Sequence, residues 1–297
     1  MQIEQLAEHQ ESLGWRAKLQ LAFDFDGERT RLIRKGGIGP LYVQKPFYPE
    51  GDLCHAYLLH PPGVVAGGDQ LSLEVEVCSG ARVLITTPAA TKFLRTKASL
   101  AQQEQIIRIA DDAHVEWLPQ ESIVFNDALA SSKTLIQIQQ NATYIGCELF
   151  SLARPTNKEA FTSGSYTSTT KLERYCHQHH RYRPLYYDHQ HYSGGSKELQ
   201  AQWGLGGHPV MGTLIATPCD EDLLARVRQA VVCSEPIVQS TLGATTLVRA
   251  TLVRDVLVIR CLGYATSAVQ TALRQCWAIV RPLLTQREAH FPAIWRT

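Results

Sequence analysis

The sequence predicts a mainly β protein with two α-helices in its C-terminal half. Three observations carry that expectation. Apolar and polar residues alternate with period two through most of the chain, turn signals recur every ~8–12 residues, and apolar stripes of helical period occur at two late places. The strands are expected to be mostly antiparallel, in a sandwich, barrel or solenoid. No motif of fixed length repeats, so the pattern leaves those three open.

The elements follow in order. Leu71, Leu73, Val75 and Val77 alternate with Ser72, Glu74 and Glu76, which puts the apolar set on one sheet face. Ser79-Gly80 turns the chain and Val83-Leu84-Ile85 resumes it. Gln105 to Ile109 is a strand, Asp111-Asp112 a turn, and Val115 to Leu118 the next strand. Thr134 to Ile138 and Thr143 to Phe150 continue the series around Asn141. Thr217-Pro218-Cys219-Asp220 then reads as an N-cap followed by proline at the first helical position. Leu223, Leu224, Val227, Ala230 and Val231 form the apolar stripe of that helix. Thr245 to Leu262 reads as two strands with a turn at Arg254-Asp255. A second helix starts near Thr266 or Ser267 and shares Val269, Leu273, Trp277 and Val280 on one face. It is expected to run to Arg281, with Pro282 stopping it. No Ser/Gly-rich linker divides the chain, so residues 1–297 are expected to form a single domain.

Composition bounds the function. Of 297 residues, 44% are hydrophobic and 19% charged, enough for a sizeable core. A formal net charge of +1 argues against a nucleic-acid partner held by a strongly basic surface. No apolar run approaches the ~20 residues of a membrane span, and the N-terminus lacks a signal-peptide core. A protein free of membrane, in the cytoplasm, is expected. The eight cysteines form no CxxC and read as reduced thiols, many of them small core residues.

The segment "HPPGVVAGGDQL", starting at His60, needs an account. Gly63 and Gly68 have the separation of a phosphate-gripping loop, but Asp69-Gln70 follow where lysine and a hydroxyl are required, and a strand follows where a helix is required. Gly204-Leu205-Gly206-Gly207 fails as a dinucleotide loop for lack of a strand before and a helix after it. No G-x-S-x-G and no H-E-x-x-H occur. What remains is backbone shaping. Pro61-Pro62-Gly63 fixes an extended segment and a turn, Gly67-Gly68 permits positive φ or close approach, and Asp69 stands at the mouth of a strand. A second unusual segment, "CHQHHRYRPLYYDHQH", spans Cys176 to His191. A hairpin centred on Pro184 would pair His177 with His191 and His179 with His189, giving four imidazoles on one face that suit nickel or zinc. A two-residue turn at Arg181-Tyr182 would shift that register and dissolve the cluster.

Several linked motifs carry a resemblance. "FYPEGDLCHAYLLHPPGVVAGGDQL" (Phe47 to Leu71), "LITTPAATKFLRT" (Leu84 to Thr96) and "VEWLPQESIVF" (Val115 to Phe125) resemble successive signatures of the urease accessory protein family UreD, also called UreH. "RP…FTSG" (Arg154 to Gly164) and the ending "RPLLTQREAHFPAIWRT" extend the likeness over nearly the whole chain. Val64 departs from the family's second glycine after HPPG, and the histidine-rich segment is particular to this chain. The resemblance implies a helical, solenoid-like arrangement of many short strands with two helices. It implies a scaffold that binds apo-urease and, with UreF and the GTPase UreG, guides nickel through an interior passage. It implies no catalysis and no tightly bound cofactor, nickel being transient. The family's passage positions match Asp69, Thr91, Glu148 and Asp188 here. The helix ending at Arg281 and the tail to Thr297 match the region of UreF contact. Two other readings compete: a β-fold metal-dependent hydrolase using the His177–His191 cluster, and a structural subunit of urease.

Overall fold

The structure, a computed structural model, describes residues 14–96, 99–234 and 246–296. Thr245, Thr297 and the side chains of Val231 and Cys233 lie outside the described set. In chain order the first strands are β1 Arg16–Phe25, β2 Thr30–Ile38, β3 Tyr42–Val43, β4 Phe47–Glu50, β5 Leu53–Leu59 and β6 Val64–Val65. Then come β7 Gln70–Val77, β8 Arg82–Thr86, β9 Thr91–Phe93, β10 Ala101–Ile109, β11 His114–Leu118 and β12 Ser122–Val124. β13 Leu129–Ile138, β14 Thr143–Leu152, β15 Ser165–Cys176, β16 Arg181–Ser193 and β17 Val210–Thr217 lead to helix α1, Glu221–Ser234. β18 Leu247–Val253, β19 Val256–Gly263 and helix α2, Thr266–Thr285, close the chain. No described helix is long and apolar enough to cross a membrane.

The chain coils as a β-solenoid of about four turns. Each turn lays one strand into a seven-stranded sheet, ordered β16-β15-β13-β10-β7-β1-β2, and the next into a twelve-stranded sheet with the path β18-β19-β17-β14-β11-β8-β5-β3. The ladders β1–β7–β10–β13–β15 and β5–β8–β11–β14 are parallel, which corrects the antiparallel expectation. The reason is exposure. Parallel sheets usually lie buried on both faces, but here the seven-stranded sheet turns its outer face to water, so its strands alternate as antiparallel ones do. Gln70, Gln102, Ser131 and Thr167 mark successive turns at unequal spacings, which explains the lack of a sequence repeat.

Register stacks equivalent side chains in rows between the sheets. Leu21, Val75, Ile107, Ile136, Leu172 and Tyr186 form one row, all buried in the main apolar core. Two residues away along the same strands, Leu19 and Leu73 give way to Gln105, Thr134, Thr170 and Asp188. The space between the sheets is thus apolar at one level and polar at the next.

The helices cover the other face of the twelve-stranded sheet. Val269, Leu273, Trp277 and Val280 of α2 are buried against Ile145, Cys147 and Leu214, as their spacing predicts. Two boundary expectations are corrected. Thr217 ends β17 and does not cap a helix, because its hydroxyl accepts from Arg174 Nη2 at 3.0 Å. Asp220 is the cap, its Oδ1 accepting from the Leu223 N–H at 2.8 Å. Pro282 does not stop α2, which continues to Thr285 and ends on Gln286 with φ 58°. A proline removes one backbone donor, and packing of Leu283 and Leu284 on the helical core outweighs that loss. The turn at Arg254-Asp255 joins β18 to β19 as predicted, with Arg254 at φ 59°. Seven described cysteines are free thiols, five of them buried.

Candidate functional site

The polar level between the sheets contains two cavities that share the side chains of Glu148 and Phe150. The first has a volume of about 100 Å³, room for several waters. Its walls include His60, Thr91, Gln105, Ser132, Thr134 and Glu148. The second is about 20 Å³ and is lined by Glu148, Ser168, Thr170, Tyr186, Asp188 and Thr213 among others. Glu148 belongs to both.

Strand alternation places Glu148 there. On β14, Cys147 and Leu149 point to the helices, so Glu148 points between the sheets. Its Oε1 accepts from Thr134 Oγ1 at 2.5 Å, and its Oε2 from Thr170 Oγ1 at 2.9 Å and Ser168 Oγ at 3.4 Å. These hydroxyls come from two successive turns of the opposite sheet. No cation pairs with Glu148 among the described residues. Burial pushes its carboxyl above the usual range and Asp188 adds to that, while the hydroxyls oppose it. The accessible surface it keeps faces the cavities.

Asp188 closes the second cavity. Its Oδ2 accepts from Arg260 Nη2 at 2.9 Å and from Gln190 Nε2 at 2.6 Å. Arg260 shares the register row of Glu148 and Thr213, so two strands of the twelve-stranded sheet bring an acid and a base to the same level. In the first cavity, Gln103 lines the wall next to Gln105 on neighbouring levels, and its buried Oε1 has no hydrogen-bond partner among the described residues. Burial pulls the His60 ring below its usual range, with Asp69 pulling it back up.

The expected positions separate accordingly. Thr91 and Glu148 share the first cavity, and Glu148 and Asp188 share the second. Asp69 is not in either wall. Its Oδ1 accepts from the Trp15 N–H at 2.8 Å and its Oδ2 from the Ala66 N–H at 2.7 Å, so its carboxylate clamps the turn to the start of β1. The glycine-rich segment shapes backbone. Gly63 turns at φ 68° after Pro61-Pro62, Gly68 at φ 92°, and a Cβ on Gly67 would collide with Thr96.

The histidines do not converge. β15 and β16 pair with Cys176 opposite Arg181, so His177 to His180 form the exposed tip of the hairpin. His189 lies opposite Thr169 and His191 opposite Thr167. The four-imidazole face therefore does not form, because the turn centres near His179 and not on Pro184. Among the described residues, no group of three or more His, Cys, Asp or Glu is placed to hold a metal ion. The ligand set that a hydrolase reading needs is not assembled.

Sequence reasoning missed His60, Gln103, Gln105, Thr134, Thr170 and Arg260. For Gln103, Gln105, Thr134 and Thr170 the available signal was weak: polar residues at the apolar phase of β10, β13 and β15, visible once the register is known. His60 opens the HPPG motif, and nothing local marked Arg260.

Comparison with known proteins adds the family. The family model described as "UreD urease accessory protein" matches residues 16–296. The chain is 35% identical over 284 residues to a protein of Citrobacter koseri named urease accessory protein UreD, covering 96% of this chain and 92% of that one. It is 36% identical over 288 residues to urease accessory protein UreD 2 of Brucella anthropi, at 96% and 100% coverage. A Pseudomonas putida protein of the same name is 36% identical over 296 residues, at 99% of each chain.

Proposed function

The chain belongs to the UreD urease accessory protein family, and from that premise we propose that it is a non-catalytic assembly factor for urease. In this reading it binds apo-urease and acts with UreF and the GTPase UreG, in the cytoplasm. Nickel is its transient cargo. In this reading the hydrolysis of GTP falls to UreG; the Gly63–Gly68 segment of this chain is a glycine turn clamped by Asp69.

One observation carries the reading: two cavities between the sheets share Glu148, which has no cation partner among the described residues, and the proposed route runs through them. Set among apolar walls, the hydroxyls, amide oxygens and carboxylate offer a divalent ion partial replacement for its water shell without trapping it. The orphaned Gln103 Oε1 supplies a further acceptor. Thr91, Glu148 and Asp188, which the resemblance assigns to a passage, line these two cavities, and that supports the reading. Asp69 supports it indirectly, by fixing the turn beside His60.

The test is made in a host deleted for this gene. Urease protein should accumulate with little nickel, and the wild-type chain should restore loading. The variant Ser132→Phe, which narrows the first cavity, should still co-purify with apo-urease yet leave it unloaded. Full nickel content with that variant would remove the interior route from the account.

A further inference from the structure

We infer that His189 and His191 form a two-imidazole chelate for a divalent transition-metal ion on the outer face of the solenoid. β16 is the edge strand of the seven-stranded sheet. Along it, Asp188 and Gln190 point inward to the second cavity, while His189 and His191 point outward and are exposed. Two residues apart on one strand face, their Cα atoms lie roughly 6–7 Å apart, a span that two imidazoles bridge onto one ion.

The neighbouring strand orients both rings in the same way. Thr169 Oγ1 lies 2.9 Å from His189 Nδ1, and Thr167 Oγ1 lies 2.9 Å from His191 Nδ1. When each hydroxyl accepts from Nδ1–H, each Nε2 carries a bare lone pair. Metal-ligating histidines are held in this way: the second nitrogen donates to a fixed acceptor, which sets the tautomer and the ring plane. His189 is also stacked on Tyr187, with ring centroids 6.4 Å apart and planes 4° from parallel. His191 Nε2 has Ser193 Oγ at 3.2 Å, a contact that a metal ion would displace.

Two imidazoles with water completing the shell select borderline cations such as nickel, copper and zinc over magnesium and calcium. With two protein ligands the site is exchangeable and does not entrap the ion. It stands apart from the interior route: its ligands lie on the opposite face of β16 and do not depend on Glu148.

Equilibrium dialysis of the purified full chain against nickel chloride at neutral pH tests this. The His189→Ala/His191→Ala variant should lose one nickel equivalent, whereas His177→Ala/His179→Ala at the hairpin tip should keep it. Thr167→Val/Thr169→Val leaves both imidazoles in place and should weaken binding roughly tenfold. Each variant is checked by circular dichroism for an unchanged fold. Unaltered stoichiometry and affinity in the folded His189→Ala/His191→Ala protein would overturn the assignment. So would equal loss in the hairpin-tip variant.

Discussion

Glu116 and Glu148 sit on neighbouring parallel strands of the same sheet and face opposite ways. Glu116 points to the helices and is saturated. Trp277 Nε1 donates to it at 2.6 Å, Arg281 Nε at 2.9 Å, and His114 Nε2 lies 3.3 Å away. Arg281 also reaches Glu50 at 2.7 Å, and Glu50 contacts His55. Burial pushes the Glu116 carboxyl up, but His114, Arg281 and Trp277 outweigh it and hold it below the usual range. Glu148 has hydroxyls alone, cavities on both sides, and a carboxyl that burial holds above the usual range. The first carboxylate ties the C-terminal helix to the solenoid. The second is largely buried without the cation that would stabilise it, an arrangement that costs stability and that, on the proposed reading, leaves a charge free for a passing ion.

Breaking the saturated site should have the largest effect. Arg281→Leu leaves the buried Glu116 and the partly buried Glu50 without their shared cation, and should lower stability by ~3–5 kcal/mol in urea denaturation. Next comes the apolar row. Ile107→Ala removes a fully buried side chain of the main core, and should lower stability by ~2–5 kcal/mol without touching the polar level two residues away. Glu148→Gln should act in the opposite direction, raising stability by about 1 kcal/mol at neutral pH, because an unpaired buried charge is removed.

The two carboxylates also predict opposite pH dependence. Glu148 has a raised pKa, so its neutral form suits the fold. The stability gap between Glu148→Gln and wild type should be small in acid. It should open as pH rises above about 4.5, the ordinary glutamate value, and level off above the raised pKa. Glu116 has a lowered pKa. Its contribution should be full above that ordinary value and lost as pH falls through the lowered one. The smallest expected effect is that of Thr134→Val. It deletes one of three hydroxyls on Glu148 and should change stability by under ~1 kcal/mol, while raising the Glu148 pKa further. Carboxyl titration by nuclear magnetic resonance checks the direction.

Much of this architecture is legible in the residues, and the illegible parts have physical causes. Leu71 to Val77 shows its pleat because one sheet face is wet, yet that same wetness disguises a parallel ladder as an antiparallel one. The apolar face of α2 is plain from Val269, Leu273, Trp277 and Val280, but its end is not, since Pro282 is overruled by packing beyond it. Thr217 looks like a cap until the tertiary partner of its hydroxyl is known. The histidine-rich hairpin turned on a small difference in where the chain reverses, and that difference halved the predicted cluster. Motifs marked Asp69, Thr91 and, within VEWLPQ, Glu116, but nothing local tells what Glu116 or Glu148 will face. Each is the one acid of a mainly apolar strand. Their roles are set by what the opposite sheet and α2 bring to them over long chain separations.

The most direct measurement is nickel per urease in cells whose sole copy of this chain carries Glu148→Gln, taken together with the melting temperature of the variant and its co-purification with apo-urease. The account predicts a variant at least as stable as wild type, still bound to urease, with nickel at the level found when the chain is absent. Urease loaded to the wild-type level by that stable, bound variant would contradict it.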